Sequence, residues 1–305
     1  MAAKGGPEVR IGGAERLSVV ERIGGAERIS GIDRRVIYVL LIAVIAFALI
    51  RPVGLAIRAT PETMKVHDAI SGLPSGSILW MGFEFDAGAV PELMPAAEMV
   101  IRDAFDKDLR IVSGGMWQMA GDLGMQAFDA VLPDYPDKRY GIDFVNIGYR
   151  PGRDLWLDQM TRDAWVASSG VDVTGTSFTE LPLMAEFRSL KDAKFLMVFV
   201  TGTPGTPEYI KVVSAPLGKP LGVSCTSVEA PGTMPYLSSG QVVGGILGMK
   251  GAAEYETLLG RPGLATAGMD AQSFAHALIV LLILLGNAGY LIERRSKQRR
   301  GVRCP

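Results

Sequence analysis

Two cysteines and two histidines among 305 residues are too few for a disulfide framework or for a zinc site made wholly of protein ligands. The phosphate-binding G-x-x-x-x-G-K-[ST], dinucleotide-binding G-x-G-x-x-G, nucleophile-elbow G-x-S-x-G and metalloprotease H-E-x-x-H patterns are all missing. Neither a metal nor a cofactor is therefore expected. His67 follows the first long apolar run and His276 lies inside the second, so no histidine falls among the loops of the central region. This excludes a histidine-based catalytic triad there. Without such a partner, Cys225 reads as a small buried hydrophobe rather than a nucleophile, and Cys304 is a tail thiol with no assigned role.

A large charge excess is also absent, with 31 basic against 32 acidic residues, but the charges are unevenly placed. Residues 59–273 carry a net −10, which argues against nucleic acid as a partner because that needs a basic face. Residues 274–305 carry a net +5, most of it in ERRSKQRRGVR. The 48% of apolar residues rules out a disordered charged tail protein.

Two apolar runs account for the positive mean hydropathy. VIYVLLIAVIAFALI, from Val36 to Ile50, is flanked by Arg34, Arg35 and Arg51. Its fifteen residues cover only about 22 Å, but snorkelling arginines and the following PVGLAI allow an expected helix over 36–57. Ala46-Phe47-Ala48 resembles a signal-peptide cleavage site. However, a 35-residue lead and a residual Leu49-Ile50 terminus favour an uncleaved anchor. The second run, 271–292, is long enough to cross a bilayer unaided. The basic residues after it, with Arg28, Arg34 and Arg35 before the first, place both termini in the cytoplasm. The expected layout is a tail (1–35), a first span (36–57), an extracytoplasmic domain (59–268), a second span (271–292) and a basic tail (293–305) in the cell membrane.

Within 59–268, short apolar runs alternate with helical spacing, which predicts an α/β fold with a small, doubly wound, mainly parallel sheet of about five βα units. Strands are expected at 77–83, 109–114, 143–149, 194–202 and 221–227. In the segment after Glu92, Leu93, Ala96, Ala97, Val100, Ile101, Ala104 and Phe105 recur at helical steps and give one apolar face. The segment 238–259 reads as a helix, and 170–189 as an irregular crossover interrupted by Pro182.

Ligands of such folds bind beyond the carboxyl ends of the strands. There, Thr206 can cap a helix beginning at Pro207. Thr203, Thr206 and Arg150 form a candidate anion site, with Arg153 as a further charge. Ordinary loop turning and capping explains the same residues. Glu84 and Asp86 share one side of an extended chain and are weak candidates for general acid–base work or a magnesium foothold. Solvated or capping acids are the alternative.

Outside the domain, RIGGAERLS (10–18) and RIGGAERIS (22–30) repeat at an offset of twelve residues. They read as partner-docking motifs or as a duplicated linker. The second run carries His276, Gly286, Asn287 and Gly289, with Ser273, a set suited to close packing of membrane helices. The expected partners are the lipid bilayer and other membrane-protein subunits or a second copy of the chain. The expected function is that of a non-catalytic accessory or structural subunit. The alternatives are a small-ligand or anion-binding sensory domain and a carboxylate-dependent hydrolase or transferase.

Overall fold

The computed structural model describes residues 33–55 and 57–299. The two RIGGAER repeats and Cys304 lie outside them. The described chain forms two compact units, one of which is Val53–Met269.

That unit is built on six strands: β1 (Ile78–Glu84), β2 (Arg110–Gly115), β3 (Phe144–Tyr149), β4 (Ala193–Val200), β5 (Leu221–Cys225) and β6 (Gly244–Leu247). They form one sheet in the order β3-β2-β1-β4-β5-β6, with every pair parallel. Because helices cover both faces, the strands are buried almost throughout and read as continuous apolar runs.

Alternation along β1 divides the core. Leu79, Met81 and Phe83 face helices α2 (Pro61–Ser71), α3 (Val90–Asp106), α4 (Ala120–Val131) and α8 (Gly248–Leu258). Ile78 and Trp80 face α5 (Asp154–Arg162) and the helical segment that starts with α6 (Thr206–Tyr209) and continues as a π turn. A further helix, α7 (Ala230–Ser238), follows β5. The crossover through 170–189 contains only the short turns Phe178–Glu180 and Pro182–Glu186.

Two expectations are corrected. The segment 238–259 is not one helix. It first forms β6, a four-residue edge strand, and then α8. A Cβ on Gly244 would lie 2.6 Å from the Glu62 carbonyl oxygen and 2.8 Å from the Val66 nitrogen, so only glycine lets the strand approach the backbone of α2. The sheet thus has six strands rather than five.

The second correction concerns the spans. The amino-terminal apolar helix α1 runs Arg34–Ile50, 17 residues or about 25 Å, and includes two arginines. Arg51 takes φ −128° and ψ 73°, and the chain then leaves the helix at Pro52, so PVGLAI does not lengthen it to 57. The carboxyl-terminal helix α9 (Leu264–Arg299) is different. Its segment Leu264–Ile292 is the one stretch among the described residues long and apolar enough to cross a membrane. Two spanning helices of ordinary length are not present among the described residues.

Candidate functional site

The strand order reverses direction between β1 and β4, and the loops beyond that point form the usual ligand crevice of an open parallel sheet. β1 ends there in Glu84, an acid fully sealed from solvent. Gly82 sits two residues earlier, on the same face. A Cβ there would meet the Tyr209 hydroxyl at 2.5 Å, so glycine leaves the space through which Tyr209 reaches Glu84.

The Tyr209 hydroxyl donates to Glu84 Oε1 at 2.8 Å, the Met116 N–H donates to Oε2 at 2.8 Å, and Trp80 Nε1 donates to the Tyr209 oxygen at 3.3 Å. Burial dominates and raises the Glu84 carboxyl to about 8, although the donors from Tyr209 and the Met116 and Trp117 amides pull it down. Burial also raises the Tyr209 phenol well above its ordinary value. This arrangement is a closed, hydrogen-bonded cluster at the end of β1. Both carboxyl oxygens already have protein partners.

Asp86 does not join it. Asp86 is exposed and accepts from the Gly88 N–H at 3.0 Å, capping the short turn that precedes α3. The two acids are two residues apart in sequence but have separate partners, one inside the protein and one at the surface.

The anion candidates are also dispersed in role. Arg150 is half-buried, with Nη1 donating to the Tyr149 carbonyl at 3.1 Å and Nη2 to the Val171 carbonyl at 2.7 Å. Burial lowers its guanidinium from the usual value. Thr203 is exposed. Thr206 is the first residue of α6 rather than its cap. Gly205 holds the cap position, and its N–H donates to Glu208 Oε2 at 2.7 Å. The Thr206 hydroxyl is buried and has no hydrogen-bond partner. Arg153, itself exposed, lies 3.6 Å from Oε1 of the part-buried Glu208. Cys225 closes β5, buried, with its thiol raised by burial to about 11. In α9, His276, Gly286 and Asn287 are exposed and Gly289 is buried.

Sequence reasoning misses Tyr209, Trp80 and the Met116 amide because they come from three different segments. The available clue is a fully apolar strand, ILWMGFE, that ends in an acid two positions after a glycine. It also misses Glu256, a second sealed acid, on α8. Glu256 accepts from the N–H groups of Gly263, Ala265 and Thr266 at 2.9, 2.9 and 2.8 Å and from the Thr266 hydroxyl at 2.5 Å. Its carboxyl caps the first turn of α9. Among the described residues no cluster of three or more His, Cys, Asp or Glu is placed to hold a metal ion.

These features define an α/β protein with a six-stranded, all-parallel, doubly wound sheet whose first strand ends in a buried acid and is not followed by a G-x-G-x-x-G turn. No protein-family model and no curated protein matches the chain.

Proposed function

We propose that this protein is a membrane-anchored, non-catalytic accessory subunit whose α/β domain lies outside the cytoplasm and binds other proteins. One contrast carries the reading. At the strand ends both Glu84 carboxyl oxygens already accept from protein donors and Arg150 donates through Nη1 and Nη2 to backbone carbonyls, leaving only its Nε without a partner. In contrast, the apolar surface of α9, including Ile279, Leu281, Ile283 and Leu284, is bare. A bare apolar helix of this length requires lipid or a partner helix around it. In this proposal α9 crosses the bilayer and the basic residues after it lie in the cytoplasm. His276 and Asn287, polar groups on the exposed surface of α9, contact a neighbouring membrane helix.

The test is the native mass of the chain extracted from its own membrane in mild detergent, with co-purifying components identified. A reproducible larger assembly that contains other proteins is expected. A lone monomer would sink the subunit reading.

A second reading has its own observation. The unpartnered Thr206 hydroxyl, buried beside the loop after β4, is available to a small ligand in the crevice. If an anion binds there, Thr206→Val and Arg150→Gln abolish phosphate or carboxylate binding by the full chain. Unchanged binding removes that site.

A further inference from the structure

A cavity of about 290 Å³ opens where the domain leads into α9. One wall is a stripe of α3 formed by Pro95, Glu98, Met99 and Arg102, and another is the turn Arg261–Leu264. Its charges are not balanced. Asp134 pairs with Arg102, and Glu256 is satisfied by three backbone N–H groups and a hydroxyl. Arg261 donates to the Tyr135 hydroxyl at 2.8 Å and sits 3.3 Å from Asp106, and its side chain is 42% exposed. Glu98 makes no hydrogen bond and no ion pair among the described residues, and burial raises its carboxyl from the ordinary value against the opposing attraction of the Arg102 guanidinium, whose Nε has no partner. The cavity therefore presents one acid without a hydrogen-bond partner, a part-exposed arginine that shares its charge with Asp106, and apolar walls from Pro95, Met99 and Pro262.

Leu264–Ile292 has 29 residues and extends about 43 Å, comparable with the ~40–45 Å of a bilayer with its headgroups. Leu264, the first residue of that helix and 73% exposed, lines the cavity, so on the reading of α9 as a membrane anchor the cavity lies beside the end of the span.

We propose that this cavity binds the zwitterionic headgroup of an aminophospholipid, with its primary ammonium on Glu98 and its phosphate facing Arg261. This rests on the reading of α9 as a membrane anchor. A primary ammonium supplies three N–H donors to a carboxylate that lacks any, whereas the quaternary ammonium of choline supplies none. The same chemistry is carried by soluble O-phosphoethanolamine, and the acyl chains separate the two sources.

The experiment uses the full chain, delipidated in mild detergent and titrated with phosphatidylethanolamine, phosphatidylcholine or phosphatidylglycerol, with bound lipid read by native mass spectrometry. Phosphatidylethanolamine is expected to bind at least ~10-fold more tightly than phosphatidylcholine, equivalent to about 1.4 kcal/mol. Glu98→Gln is expected to erase that preference while leaving the circular-dichroism spectrum and melting temperature of the chain intact. Equal binding of the two lipids, or a preference that survives Glu98→Gln, overturns the proposal. O-phosphoethanolamine binding as tightly as the lipid overturns the membrane source. Alkaline carbonate extraction of membranes separates the two ideas: release of the wild-type chain refutes the anchor, whereas retention without lipid preference refutes only the cavity.

Discussion

Glu84 and Glu256 are both glutamates sealed from water, yet the chain surrounds them differently. Glu84 ends a strand and is met by the Met116 and Trp117 amides of the loop after β2 and by the Tyr209 hydroxyl of α6. Glu256 faces the first turn of a 36-residue helix, whose free N–H groups converge on it from Gly263, Ala265 and Thr266. A helix start offers several unpaired donors and the positive end of a macrodipole at one point, so one carboxylate satisfies them together. A strand end offers no such convergence, and at Glu84 desolvation dominates. One acid thus behaves as a cap, and the other as a group that exchanges a proton near neutral pH.

Glu256→Ala breaks the comparison most severely. It leaves three backbone N–H groups and a hydroxyl without their acceptor, those of Ala265 and Thr266 in buried surroundings. The expected cost is about 3 kcal/mol or more, read as a large fall in the melting temperature of the full chain in detergent. Glu256→Gln, which keeps one acceptor oxygen, is expected to lose less.

Glu84 is tested through pH. Between the ordinary glutamate value of 4.5 and about 8, the folded chain retains a proton that the unfolded chain has released. The stability contributed by this group is therefore complete below 4.5. It declines as pH rises to about 8, at up to about 1.4 kcal/mol per pH unit. Glu84→Gln removes the titrating group, so denaturation measured across that range is expected to give a flatter profile than the wild type. Parallel profiles would show that Glu84 titrates as an exposed glutamate does. Tyr209→Phe has a smaller effect, about 1–2 kcal/mol, from loss of the hydroxyl donor to Glu84 and of the acceptor for Trp80 Nε1. It is also expected to push the upper limit of the pH window above that of the wild type, because a donor that favours the carboxylate has gone.

The same physical difference governs what can be read from sequence. β1 to β5 are legible because a strand buried on both faces is a local apolar run, as in AKFLMVFV of β4. β6 is not, because GGIL is short and its glycines record contact with α2 rather than strand propensity. Glu84 stands out by position, but its pairing with Asp86 is illegible. Alternation places the two acids on one side, and only the tertiary structure turns one inward and leaves the other as a cap. Glu256 leaves no mark at all, since its partners are backbone amides that any residues carry. The end of α1 at Ile50 is set by the Arg51-Pro52 step, which outweighs the apolar residues that follow.

The smallest expected effect sharpens the comparison from the opposite side. Asp158 and Arg162 lie one turn apart on α5, with a 2.7 Å contact that is as short as any at Glu256 except that from the Thr266 hydroxyl, but their side chains are 47% and 74% exposed. Water solvates both ions whether or not they touch, and two flexible chains lose freedom when they do. Asp158→Ala should therefore cost no more than about 0.5 kcal/mol in the same thermal assay. If it costs as much as Glu256→Ala, then contact distance sets the strength of a carboxylate in this protein. If it costs almost nothing, the distinction lies in how many donors lose their only partner when the acid is removed, because at Asp158 every group left behind finds water whereas at Glu256 the Ala265 and Thr266 groups are buried.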